Sequence, residues 1–152
     1  MGLDIGILAE ELTHLISVHP YVPEFLDRVR WLGKRAVLVT NAHRKSLTLK
    51  MRHTGMGGCF DCLVCAHDLG VPKEDPAFWD RLNAVMPFEK RNTLLVDDNL
   101  EVLESARRYG IEYLVSIVQP NSCRPPRLVE GFSAIISFRD ILPEPNLSQA
   151  AN

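Results

Sequence analysis

No apolar run in this 152-residue sequence approaches the roughly 20 residues a helix needs to cross a bilayer. Charge of one sign is scarce as well. Seventeen basic and 19 acidic side chains leave a net charge of −2, which gives no electrostatic reason to expect nucleic acid or an anionic membrane as partner. The stretch Met1 to Leu15 has no basic start and carries acids inside its apolar pattern, so it does not read as a signal peptide. There are only four cysteines, and Cys59, Cys62 and Cys65 lie too close together to pair across a fold. Without an export signal they read, with Cys123, as reduced thiols of a cytoplasmic protein. There is no internal repeat, and no low-complexity stretch apart from the polar tail.

What is present is an ordinary globular balance, 46% apolar and 24% charged, in a chain long enough for one domain with a sizeable core. Ile5, Leu8, Ala9, Leu12, Leu15 and Ile16 recur at helical spacing and predict a first helix ending near Pro20. A second helix opens at Pro23, with Phe25, Leu26, Val29 and Leu32 as its buried stripe and Gly33 as its stop. Ala36 to Val39 is a short apolar run of the kind that suits a strand buried on both faces. Helices are then predicted at 43–53, 76–86 and 100–109, the middle one with Phe78, Trp79, Leu82 and Val85 inward. Strands are predicted at 60–66, 93–96, 113–118 and 134–137, with a brief helix at 139–142. Strands alternating with helices imply an α/β fold with a parallel sheet and helices on both faces. In such folds ligands bind at the carboxyl ends of the strands.

Three features gather at those ends. Thr40, after Leu38-Val39, offers a hydroxyl beside the free amides of the next helix, which suits a phosphoryl oxygen. Taken alone, Thr40 or Asn41 would more often be a plain helix cap. Lys73 stands between Pro72 and Pro76, where a restricted backbone could aim its charge at a phosphate or carboxylate; an ordinary solvated lysine is the alternative. The strand residues Thr93 to Val96 run directly into Asp97-Asp98. Adjacent acids at a buried strand end repel one another, and a hard cation such as Mg²⁺ relieves that. The bland reading is an Asp cap beside a solvated acid.

In this order the three resemble the second, third and fourth motifs of the haloacid dehalogenase-type phosphohydrolases. Val37-Leu38-Val39-Thr40-Asn41, Lys73 and Leu95-Val96-Asp97-Asp98 are the matching residues, and Ser105 to Ile111 resembles the helix end that follows the fourth motif. Thr40-Asn41-Ala42-His43, His53-Thr54-Gly55, Val71 to Asp75 and Gly2-Leu3-Asp4-Ile5 are similar to the GMP/IMP nucleotidase branch, with the last falling inside a helical cap. The resemblance covers nearly the whole chain. It implies a Rossmann-like core at 21–143, a cap remnant at 1–20 and a loose tail at 144–152. It also implies an Mg²⁺-dependent phosphomonoesterase acting on a small phosphomonoester such as a purine mononucleotide. Thr40, Asn41 and His43 would contact substrate, Lys73 would offset charge at the reaction centre, and Asp97 and Asp98 would hold the metal.

The first motif of that family, an apolar strand followed by Asp-x-Asp, is missing ahead of Thr40. Its first Asp attacks phosphorus and its second handles the proton. Asp4 is followed two places on by Gly6, and Asp27 sits mid-helix, so neither fits. The chain therefore reads as N-terminally truncated, without its central strand and without turnover. The alternative is a degenerate, non-enzymatic domain that binds a ligand or partner. Receiver domains use similar residues, but there the acidic pair comes first along the chain. Cys59-x-x-Cys62-x-x-Cys65 resembles part of a cluster motif, yet Cys123 is distant, and on a strand a spacing of three puts residues on opposite faces. Gly55 to Gly58 follow a helix rather than open one, so they read as a stop and turn instead of a phosphate loop. For His43, a capping or surface role competes with substrate contact.

Overall fold

The computed structural model describes residues 21–119 and 125–144. The predicted first helix, the cap remnant at 1–20, Cys123 and all of the tail but Glu144 lie outside the described residues. Helix α1, Val22–Trp31, starts at Tyr21 with Pro23 in its first turn. The Glu24–Arg28 ion pair spans one turn at 2.8 Å, and Arg28 also donates to the Pro143 carbonyl. Strand β1, Val37–Thr40, is followed by α2, Arg44–Thr54, and β2, Cys62–Cys65. A clamp opens the β1–β2 pair: Ala36 N–H donates to the Asp61 carboxylate and Asp61 N–H to the Ala36 carbonyl. Helix α2 stops at Gly55, whose φ of 68° is the left-handed conformation that glycine adopts without a Cβ penalty.

A short α3, Ala66–Leu69, leads into α4, Ala77–Val85. Then come β3, Leu94–Asp97, α5, Leu100–Tyr109, β4, Tyr113–Ile117, and β5, Ser133–Ile135. Asn99 caps α5 through its side chain, and Gly110 closes it. A 3₁₀ turn at Phe138–Ile141 carries a Ser137/Asp140 capping box and packs its Phe138 ring 5.1 Å from Phe25.

All strand pairs are parallel, but they form two sheets. Among the described residues β1 pairs only with β2, and β3 only with β4, so the edges of β1 and β3 carry no strand between them. One apolar core joins the two sheets. Phe78, Trp79 and Leu82 of α4 and Val102 and Ala106 of α5 pack with Val39, Val64, Leu95 and Leu114, one residue from each of four strands. Burial of each such large side chain contributes roughly 1.5–3 kcal/mol. Trp79 Nε1–H donates to Ser105 Oγ at 2.8 Å, which satisfies a fully enclosed indole.

The structure corrects several expectations. Strand β1 is half-buried rather than buried on both faces, since among the described residues it has a paired neighbour on one edge only. The predicted strand at 60–66 shortens, because Ala66 already starts α3. Val85 is 66% exposed: it is the last residue of α4 and lies beyond the core its helix covers. In the α1 stripe only Leu26 is fully buried.

Candidate functional site

The carboxyl ends of β1 and β3 approach each other through the loop that carries Lys73. That loop leaves α3 at Gly70, where φ is 74°, and enters α4 with the Asp75 carboxylate accepting Ala77 N–H. Lys73 Nζ lies 2.6 Å from Asp97 Oδ2, with the two side chains only 12% and 8% exposed. This is a short, charge-assisted bond between largely desolvated partners. Asp97 Oδ1 accepts Asn99 N–H at 2.9 Å, so both of its oxygens are engaged. Lys73 N–H in turn donates to Asn41 Oδ1 at 2.9 Å, which ties the lysine loop to the tip of β1.

Adjacent in sequence, the two acids differ in environment. The Asp98 carboxylate is 54% exposed and stands 3.8 Å from the Arg127 guanidinium, which also donates to the Asp98 carbonyl. Arg127 was not singled out by the sequence, since nothing local marks an arginine 29 residues downstream as a partner. Thr40 Oγ1 accepts Ala42 N–H at 3.0 Å in a local turn ahead of α2 rather than as its cap, and its own hydroxyl proton can still donate outward. His43 caps α2: its Nδ1 accepts Lys45 N–H at 3.3 Å, which places the ring proton on Nε2. Its ring meets His67 edge-on at 5.3 Å, a neighbour the sequence did not predict. Asn41, Lys73 and Asp97 are thus joined by direct bonds. Thr40 adjoins them along the chain, while Asp98 and His43 make their contacts elsewhere.

A hard divalent cation needs oxygen ligands and retains water, so one or two carboxylates plus phosphate oxygens suffice. Asp97 and Asp98 provide that donor chemistry. Lys73 now balances the charge of Asp97. Among the described residues no cluster of three or more His, Cys, Asp or Glu side chains is arranged to hold a metal. Cys59, Cys62 and Cys65 are free thiols. Burial pushes the Cys65 thiol above its ordinary range, and the nearby Arg44 guanidinium pulls it part of the way back. No helix among the described residues is long and apolar enough to cross a membrane.

The family described as haloacid dehalogenase-like hydrolase matches residues 5–116. The GMP/IMP nucleotidase YrfG of Escherichia coli strain K12 is 29% identical over 143 residues, which are 94% of this chain and 64% of the nucleotidase. The chain therefore spans less than two thirds of that relative. Among solved structures, a β-phosphoglucomutase-like protein from Thermotoga maritima superposes with a TM-score of 0.75 at 19% identity, covering 88% of this chain and 62% of its own. YfnB from Bacillus subtilis, a hydrolase solved with bound magnesium, gives 0.72 at 14% identity, covering 88% and 57%. At such identities the structural likeness speaks for the fold.

Proposed function

The chain belongs to the haloacid dehalogenase-like hydrolases, and from that premise we propose that it carries most of an Mg²⁺-dependent phosphomonoesterase site. The observation behind this reading is the direct linkage of Asn41, Lys73 and Asp97 at the ends of two separately paired sheets. Thr40 and Asn41 hold phosphoryl oxygens through hydroxyl and amide donors. Lys73 balances negative charge between Asp97 and the phosphoryl group, and so keeps the reacting groups close. Asp97 is the main oxygen ligand for Mg²⁺, with Asp98 beside it as a second, exposed carboxylate. When bound, Mg²⁺ supplies charge neutralisation to phosphoryl oxygens.

The substrate of the whole protein is a purine mononucleotide such as GMP or IMP; the support is the relationship to YrfG. His43 contacts that substrate through Nε2, since Nδ1 is used in capping. A cytoplasmic location accords with the free thiols. Attack on phosphorus needs a carboxylate that these 152 residues do not place in an Asp-x-Asp pattern ahead of Thr40. The chain by itself therefore binds phosphate with Mg²⁺ but does not turn over. The test is to incubate the purified chain with GMP or IMP and Mg²⁺ and to measure phosphate release and phosphate binding. Binding that is weakened by Asp97→Asn, with no release, is expected. Release abolished by Asp97→Asn would overturn the claim of inactivity. No binding at all would favour a degenerate domain.

A further inference from the structure

Glu74, next to Lys73, closes a ring of hydrogen bonds. Its Oε2 accepts Asn41 Nδ2–H at 2.8 Å and its Oε1 accepts Asn99 Nδ2–H at 3.0 Å. Asn41 Oδ1 accepts Lys73 N–H, Asn99 N–H donates to Asp97 Oδ1, and Lys73 Nζ–H donates to Asp97 Oδ2. Glu74 and Lys73 are joined by the peptide bond, so the circuit is complete. It connects the tip of β1 to the tip of β3, the two strands that share no backbone pairing.

The orientation of both asparagines is determined independently of Glu74. Asn41 Oδ1 must face Lys73 N–H, and Asn99 Oδ1 must face Glu101 N–H at 2.9 Å. Each therefore turns its NH₂ toward position 74. Only a side chain with two acceptors and no donor satisfies both, which ionised glutamate does and glutamine does not. Both bonds are charge-assisted, roughly twice as strong as neutral ones.

We propose that Glu74 is a positioning residue that sets the phosphate-holding end of β1 against the Asp97 end of β3. The phosphate-binding part rests on the phosphatase-site reading above; the linkage of the strand ends does not. Glu74→Gln, nearly isosteric, should behave as a disruptive change, because its NH₂ meets one of two oriented NH₂ groups. Adding Asn99→Asp should restore the ring. The new carboxylate still accepts Glu101 N–H, since Asp caps as well as Asn, and its other oxygen accepts the glutamine NH₂. The glutamine oxygen then accepts Asn41 Nδ2–H.

The experiment measures amide exchange by NMR on the 152-residue chain, along with inorganic phosphate binding in the presence of Mg²⁺. Glu74→Gln is expected to speed exchange of the Lys73 and Asn99 amides about tenfold and to weaken phosphate binding about tenfold. Exchange in β4 should be unchanged and serves as the control for an intact fold. The Glu74→Gln/Asn99→Asp double variant should recover most of both losses. Unchanged exchange at Lys73 and Asn99 in Glu74→Gln, or a double variant no better than the single, would overturn the role of Glu74. Failure of the unaltered chain to bind phosphate would instead remove the phosphatase-site reading, and the exchange data would still decide whether Glu74 links the strand ends.

Discussion

Replacing Lys73 by methionine keeps most of the side-chain volume and removes the ammonium from Asp97. The carboxylate is 8% exposed and its counterion sits at 2.6 Å, so water cannot readily replace what is lost. Breaking a buried pair on one side costs about 3–5 kcal/mol, because the remaining charge is left uncompensated. The Asn99 N–H bond to Oδ1 survives, which places the expectation at the lower end, near 3 kcal/mol. In a domain of this size each kcal/mol moves the melting temperature by about 2–4 °C, so a fall of roughly 6–12 °C is expected. The double variant Lys73→Met/Asp97→Leu removes both charges and should be more stable than either single, since apolar replacement of a whole buried pair is often neutral or favourable. Urea titration followed by far-ultraviolet circular dichroism, with calorimetry for melting temperatures, measures all three. Mg²⁺ adds a further arm: at ten times its dissociation constant it should return about 1.4 kcal/mol to Lys73→Met. A Lys73→Met loss under about 0.5 kcal/mol would refute the reasoning. So would a double variant as damaged as the sum of the singles.

Three further outcomes follow from the same structure. Amides of β4, which pairs on both sides, should exchange more slowly than those of β1 and β3, each of which pairs on one edge only among the described residues; uniformly strong protection of β1 and β3 in a monomer would contradict the break in the sheet. Ser105→Ala should cost about 1–3 kcal/mol in urea unfolding, because the enclosed Trp79 indole N–H loses its acceptor, and a neutral result would mean that the indole finds another partner. Cys65, fully enclosed and with its thiol raised by burial, should react with iodoacetamide later in a rising pH series than Cys59. The folded state holds the Cys65 proton more tightly than the unfolded chain, so this group's contribution to stability is intact below the ordinary thiol range and declines as pH rises through it. Equal reaction rates of the two thiols in the native protein would disprove the assignment.

Much of the architecture could be read from local pattern. Val37 to Val39 and Leu94 to Val96 are apolar runs that only a strand in an α/β layer uses well, and Asn99 and Gly110 bracket α5 with its own start and stop signals. The errors occur where burial depends on neighbours rather than on period: Val85 keeps the helical spacing yet projects past the core, and β1, paired on one edge only among the described residues, is half-buried. The same division runs through the site. Thr40, Lys73 and Asp97-Asp98 stood out because chemistry and strand ends coincide along the chain. Nothing local sets Glu74 apart from the other acid of its Lys-Glu-Asp loop, and Arg127 has no local mark at all. Spacing along the sequence determined which residues arrive at the carboxyl ends of the strands, since side-chain period and caps are local properties. Only the tertiary path decided that one carboxylate accepts from Asn41 and Asn99 at once, and that Asp97 is enclosed while Asp98 is not, because those contacts join segments 24 to 33 residues apart.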